Sequence, residues 1–256
     1  MGLHDLGLAH AALVIAQDEY PALAVARYLK RLDFMGYELQ SRISLDRPER
    51  SADRVEVVTR YLFSEQRFQG NAVDYYDPKN SFLNDVLDRR LGLPITLSIL
   101  TIEMCTRVGL KAWGIGLPSH FVVGVELDDG VPVILDPFRN GVRVHSDEVN
   151  SRLKESVDKR ATLTRLLNNL KIIYWNEKRF DKALPVVERL LELNPQHSPE
   201  YRDRGLANYQ LKRYGHALLD LERYLAGIPE SPEELPWIEE MIRWLRKRVN
   251  FSPMLH

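Results

Sequence analysis

The sequence predicts an α+β fold: a helical N-terminal region, then a central helix with an antiparallel sheet, then an all-α repeat region. Three observations predict it. The front third spaces its apolar residues as amphipathic helices do, the middle carries β-branched runs separated by turn signals, and the last third contains two similar segments offset by 34 residues. We therefore divide the chain into residues 1–75 and 76–158, which form one core domain, and residues 159–256, which carry the repeats and a capping helix.

The composition narrows the classes of partner. The 35 basic and 36 acidic residues leave a formal net charge of −1, so no charge excess favours nucleic acid or an acidic membrane surface. The apolar stretch near the N-terminus has no basic segment before it and is too short to span a bilayer. One cysteine excludes an internal disulfide and a cysteine-based metal cluster. We expect a cytoplasmic protein that binds neither nucleic acid nor membrane and carries no cofactor.

The front third is predicted to be helical. Residues 6–17 are rich in leucine and alanine, and Leu29, Leu32, Leu39 and Ile43 then recur on one helical face. The segment "RVEVVTRYLFSEQRF" resumes as a helix, and "SFLNDVLDRR" is a further helix for which Asn80 or Ser81 is the expected N-cap.

The middle of the chain changes from helix to strand. A helix is predicted from Pro94 to about Val108, followed by "HFVVGVEL" and "VPVILDPF", two β-branched runs joined by Asp128-Asp129-Gly130. Asn140-Gly141 signals a second hairpin. His120 then opens the first long strand, and Asp136 lies near the end of the next one.

This order of helix, strand-borne histidine and strand-borne aspartate is the layout of papain-like and transglutaminase-like thiol enzymes. The run from "NSFLNDVLDRR" to "VPVILDPF" resembles the transglutaminase-like core of bacterial SirB-type proteins, which also carry C-terminal tetratricopeptide repeats. The resemblance extends over roughly residues 10–230. It implies that His120 and Asp136 match the catalytic histidine and aspartate of the family.

The same resemblance implies that the nucleophile is missing. Gly92-Leu93-Pro94 stands where the family has Gly-x-Cys, so Pro94 occupies the cysteine position. Cys105 lies 11 residues further on, roughly 16 Å along a helix, and is expected to be a packing residue. Thr96 and Ser98 are nearer the helix start, but a hydroxyl needs stronger activation than a thiol.

Two interpretations of His120 and Asp136 remain open. The two residues form either a retained pair in a site that binds without cutting, or a structural pair that ties two strands together. A metal site of His120, Asp136 and His145 is conceivable from ligand type alone, but no ligand spacing supports it, and we expect no metal.

The last third contains the repeat. "NEKRFDKALPVVERLLELNP" and "QLKRYGHALLDLERYLAGIP" align at an offset of 34, which pairs Ala183 with Ala217 and Pro195 with Pro229. This period of paired helices is the tetratricopeptide signature. Arg204 and Asn208 depart from it, since apolar or aromatic residues are usual at their positions. A last helix, "WIEEMIRWLRKRVN", is expected to act as a cap.

Repeats of this type resemble peptide-binding scaffolds whose concave face is lined by the first helix of each pair. Mapped onto this sequence, the positions that this resemblance implies as peptide-binding are Arg165, Asn168, Trp175, Asn176, Arg202, Tyr209 and Gln210. Trp175 could equally be an inter-helix packing residue.

Two hypotheses of function follow. The favoured one is a non-catalytic, regulatory protein that binds a protein or peptide through the repeat groove. The alternative is an amide hydrolase or acyltransferase that uses His120 and Asp136 with an atypical nucleophile such as Thr96, Ser98 or Cys105.

Overall fold

The structure is a computed structural model that describes residues 2–46, 50–144, 157–227 and 235–250. His145 and Pro229, named above, lie outside these ranges. The chain divides into two compact units, Met1–Asn169 and Leu170–His256. The α+β class predicted from the sequence is confirmed, with a small antiparallel sheet in the first unit and helical repeats in the second.

The first unit is mostly helical before the sheet. Its helices up to that point are α1 (Leu8–Gln17), α2 (Val25–Asp46), α3 (Ser51–Thr59), α4 (Leu83–Arg89) and α5 (Pro94–Arg107). A π-helical turn, Arg60–Glu65, continues α3, where the sequence predicted a single helix. A two-stranded parallel pair, β1 (Gln69–Gly70) and β2 (Leu91–Gly92), precedes the central helix.

The central helix α5 is the core of this unit. Proline at its first position fixes a helical φ and removes an N–H that would have no partner there. Every residue from Pro94 to Thr101 is buried, as are Met104 and Cys105. The sheet packs against this helix, so α5 fixes the position of the strands that carry the functional side chains.

Four antiparallel strands form the sheet in sequential order. They are β3 (Ala112–Leu117), β4 (His120–Val125), β5 (Val133–Asp136) and β6 (Val142–Arg143). The turn predicted at Asp128-Asp129-Gly130 connects β4 to β5, and Gly130 adopts a left-handed φ of 77° there. His120 opens β4 and Asp136 ends β5, as predicted.

The N-cap predicted for α4 is wrong. The helix begins at Leu83, with Phe82 as its N-cap residue, rather than at Asn80 or Ser81. The Asn80 amide is used elsewhere, because its Nδ2 donates to the carbonyl oxygens of Asp74 and Tyr75 and its Oδ1 accepts from Asn71 Nδ2 at 3.1 Å.

Paired helices build the repeats. The helix α6 (Lys159–Asn176) runs from the end of the first unit into the second, and α7 (Phe180–Leu193), α8 (Ser198–Gln210), α9 (Tyr214–Ala226) and α10 (Leu235–Asn250) follow. Ala183 and Ala217 are both fully buried, as the alignment predicts. At Gly205 an added Cβ would lie 2.8 Å from the Leu221 side chain, so glycine permits the close approach of α8 and α9. No helix among the described residues is long and apolar enough to cross a bilayer.

Candidate functional site

The histidine and aspartate at the two strand ends form a hydrogen bond. His120 Nε2 lies 2.9 Å from Asp136 Oδ2. The Asp136 side chain is only 3% exposed, whereas the His120 side chain is 28% exposed, so one face of the pair is open. The imidazole also packs edge-on against Phe138, with 6.3 Å between ring centroids.

The Asp136 carboxylate also binds the turn that follows its strand. Its Oδ1 accepts hydrogen bonds from the backbone N–H groups of Phe138 at 3.1 Å and Arg139 at 3.3 Å, and so caps the short 3₁₀ turn Pro137–Arg139. The same carboxylate therefore holds both the imidazole and the turn that follows its strand. Gly70 lies against this turn, since an added Cβ there would come within 2.6 Å of the Phe138 carbonyl oxygen.

The strand that carries His120 is held by Arg165. Arg165 Nη2 donates to the carbonyl oxygens of Leu117 at 2.6 Å and His120 at 2.7 Å, which flank the two-residue turn between β3 and β4. Burial lowers the pKa of this guanidinium, which also lies over the Phe121 ring at 5.5 Å. Arg165 was expected in a peptide groove, but its hydrogen bonds serve the β3–β4 hairpin.

The hydroxyl nearest the start of α5 is engaged in local structure. Thr96 Oγ1 donates to the Asn80 carbonyl oxygen at 2.7 Å and accepts from the Leu93 N–H at 2.9 Å. Both contacts are buried and fix the start of the helix. Ser98 is fully buried too, and its hydroxyl lies 3.4 Å from the Phe121 carbonyl oxygen.

Cys105 is a free, fully buried thiol. Burial raises its pKa to about 12, so the reactive thiolate is scarce at neutral pH. The expectation of a packing cysteine is confirmed. In the part of the chain that the structure describes, no serine, threonine or cysteine is hydrogen-bonded to His120.

Cys105 should therefore resist thiol reagents. We expect DTNB at pH 8 to modify native protein more than about 100-fold more slowly than urea-unfolded protein, because the buried thiol reacts only after opening. The measurement is the absorbance change on adding DTNB to each sample. Rapid labelling of the native protein that is lost in His120→Ala would contradict the structural role, since it would reveal a thiolate paired with the imidazole.

A groove of about 340 Å³ lies in the second unit, between α6, α8 and α10. Its apolar lining consists of Ile172, Trp175, Leu206 and Trp237, of which Ile172 and Trp237 are 50% and 42% exposed. Its polar lining consists of Lys171, Asn176, Arg202 and Asp203. We name this feature the repeat groove.

The charges of the repeat groove are paired with one another. Lys171 Nζ donates to both Glu200 oxygens at 2.9–3.0 Å and to Asp203 Oδ2 at 2.8 Å. Arg202 also binds Asp203, at 2.8 Å. Burial alone lowers the pKa of Lys171, but the hydrogen bonds and charges of Asp203 and Glu200 outweigh it and raise that pKa.

The seven predicted groove residues are thus divided by the structure. Trp175, Asn176 and Arg202 line the repeat groove. Tyr209 instead packs against Tyr214 and Trp244, and Gln210 is exposed at the end of α8. Asn168 and Arg165 precede the second unit.

Five further residues that were not among the predicted positions line the groove: Lys171, Ile172, Asp203, Leu206 and Trp237. Lys171 could have been found, because it lies one helical turn before Trp175 on the same face. Trp237 lies in the capping helix, to which no binding role was assigned. In the described ranges, no group of three or more histidine, cysteine or acidic side chains could hold a metal ion.

Comparisons with known proteins agree with this architecture. A family model described as the transglutaminase-like superfamily matches residues 26–172, and one described as a tetratricopeptide repeat matches residues 170–243. A UPF0162 protein of Xylella fastidiosa (strain Temecula1) is 37% identical over 243 residues, which cover 88% of this chain and 85% of the relative. The protein SirB1 of Salmonella typhimurium is 27% identical over 86% of this chain and 88% of its own length. No solved structure matches the chain.

Proposed function

The chain belongs to the transglutaminase-like superfamily, and we propose that within it the protein is a non-catalytic, regulatory member that binds a peptide segment of a partner protein in its repeat groove. The observation that carries the proposal is the groove itself. Two tryptophans line the groove, and its charged side chains already pair with one another. Such a lining favours a bulky apolar side chain of a peptide over a charged one.

The absence of a nucleophile at the family position supports the non-catalytic part. Pro94 stands there and has no reactive group. Thr96 and Ser98 are buried and hydrogen-bonded to backbone carbonyl oxygens, and burial raises the pKa of Cys105. Since chemistry of this family needs a nucleophile beside the histidine, His120 and Asp136 serve as a structural pair in this proposal.

The residues that line the repeat groove indicate which kind of peptide it binds. Trp175 and Trp237 offer large aromatic faces, and tryptophans of this kind dominate binding energy at interfaces. A volume of about 340 Å³ accommodates one or two side chains. The exposed Asn176 amide can hydrogen-bond a peptide backbone. The single cysteine is free, which suits a reducing compartment, and we place the protein in the cytoplasm.

The test is a selection of random heptapeptides displayed on phage against the full chain, followed by fluorescence polarisation with the enriched peptides. We expect the enriched sequences to share a bulky apolar residue and Trp237→Ala to weaken binding by at least about 30-fold. Trp244→Ala is the matched control, because this tryptophan lies on the same helix and is 43% exposed but does not line the groove. Equal losses in the two variants, or no enrichment, would contradict the proposal.

The second candidate function is an amide hydrolase or acyltransferase. The observation that favours it is the 2.9 Å contact between His120 and Asp136, with the imidazole partly exposed. Turnover of an amide substrate by the purified protein, lost in His120→Ala, would establish this function in place of the first.

A further inference from the structure

A second pocket of the repeat unit is lined by the two residues that depart from the repeat pattern. It has a volume of about 490 Å³ and lies between α7, α8 and α9. Arg204 and Asn208, which stand where repeats usually have apolar residues, both line it. They lie on the side of α8 opposite to Arg202 and Leu206 of the repeat groove, as helical spacing requires. We name this feature the basic pocket.

The deep part of the basic pocket is electrically neutral. Arg204 binds Asp220 in a bidentate manner, with Nε at 2.8 Å from Oδ2 and Nη2 at 2.5 Å from Oδ1. Asp220 is only 6% exposed, so its charge is satisfied inside the protein. Arg204 Nη1 has no acceptor among the described residues and is available to a ligand.

The rim carries cations that are free to bind an anion. Arg213 and Arg223 line the pocket, and in the described part of the chain no carboxylate pairs with either. Glu188 is the acidic side chain of the pocket besides Asp220, so the two arginines leave a positive excess. Guanidinium groups bind phosphate and carboxylate oxygens through paired N–H donors.

One of these cations is already held in place. The Arg223 guanidinium lies over the Tyr201 ring, with 4.2 Å between its Cζ and the ring centroid. No carboxylate of the described residues pairs with this guanidinium, so its N–H donors remain available to an anion. Because the contact with the ring restricts the side chain before binding, less conformational entropy is lost when an anion arrives.

The start of α9 adds to the positive electrostatic potential of the basic pocket. Arg213 is its N-cap residue and His216 lies in its first turn, and both line the basic pocket. No acidic residue lies in that first turn, and no side chain caps it. The positive end of the helix dipole therefore reaches the pocket without a compensating charge from the first turn.

We propose that the basic pocket binds a small organic anion, a compact apolar body that carries one phosphate or carboxylate group. The anionic group contacts Arg213, Arg223 and Arg204 Nη1, and the apolar body contacts Leu184 and Leu219. The volume of the pocket is that of sites for small molecules. This inference is independent of the peptide proposed for the repeat groove.

The test is isothermal titration calorimetry of the full chain with phenyl phosphate, 3-phenylpropanoate and inorganic phosphate as probes. We expect saturable binding of at least one aromatic probe, and the preferred probe identifies the anionic group. Arg223→Ala and Arg213→Ala should each weaken that binding about tenfold. Arg243→Ala is the matched control, since this exposed arginine of α10 does not line the pocket.

Three outcomes would overturn the proposal. They are the absence of saturable heat up to about 5 mM probe, an equal loss in Arg243→Ala, and inorganic phosphate that binds as tightly as both aromatic probes. Circular dichroism of each variant checks its fold, and the exposed position of Arg213 makes it the variant that least disturbs packing. Failure here leaves the peptide selection at the repeat groove unaffected.

Discussion

Replacing Lys171 with methionine is expected to lower the free energy of unfolding of the repeat unit by about 3 kcal/mol. The lysine side chain is 16% exposed and pairs with Glu200 and Asp203, which are 6% and 13% exposed. Without the ammonium group, two carboxylates stay buried and only Asp203 keeps an arginine partner. Urea denaturation of the full chain, followed by circular dichroism at 222 nm, measures the loss.

Lys247→Met is the matched control, because this lysine is exposed on α10. We expect it to remain within about 0.5 kcal/mol of wild type. A loss below about 1 kcal/mol for Lys171→Met would show that the buried charges are solvated in some other way.

The difference in unfolding free energy between wild type and Lys171→Met depends on pH because the pKa of Lys171 is raised on folding. A lysine whose pKa is raised on folding contributes its full stabilisation below the unfolded value of about 10.4, and the contribution is lost as pH rises through the folded value. The gap between wild type and Lys171→Met should therefore persist from about pH 7 to 9 and shrink above about pH 10.4.

Asp136→Ala is expected to destabilise the first unit by about 2–3 kcal/mol. The change removes the partner of His120 Nε2 and leaves the backbone N–H groups of Phe138 and Arg139 without their acceptor. Both losses occur at a side chain that is 3% exposed, so water cannot fully replace them. The same urea titration, followed by tryptophan fluorescence, measures the effect.

Asp136→Asn separates the contribution of the contact with His120 from that of the hydrogen bonds to the 3₁₀ turn. Asparagine keeps an oxygen that can accept from the two backbone N–H groups but has no charge to offer the imidazole, so a loss of about 1 kcal/mol is expected. If alanine and asparagine cost the same, the cap on the 3₁₀ turn contributes nothing and our account of Asp136 is wrong.

The sequence predicted those features that depend on local spacing. The two β-branched runs and the turn signal at Asp128-Asp129-Gly130 placed His120 at the start of one strand and Asp136 near the end of the next. The 34-residue offset paired Ala183 with Ala217, and both are buried at corresponding positions of α7 and α9. The depth of Cys105 in a helix predicted its burial correctly.

Features that depend on contacts distant in sequence were not predictable. The position of Asn80 looked like a helix cap, but its carboxamide binds Asn71 and two loop carbonyls. Arg165 has the repeat register of a groove residue, yet the carbonyl oxygens of Leu117 and His120 are its partners, 48 and 45 residues away. The hydrogen-bond partners of Asn80 and Arg165 cannot be predicted from the residues next to them in sequence.

The pairing of Lys171 with Glu200 and Asp203 limits how this repeat array can evolve. Solenoids commonly lengthen by duplication, because each new repeat offers its neighbour the same interface. Here the 34-residue offset pairs Lys171 with Gly205. A duplicated second repeat would therefore bury a second Glu200 and Asp203 against a glycine, and the copied Arg202 would be the cation left beside the copied Asp203. Lysine cannot simply replace that glycine, because an added Cβ at Gly205 would lie 2.8 Å from the Leu221 side chain. Charge therefore disfavours lengthening of this array by plain duplication.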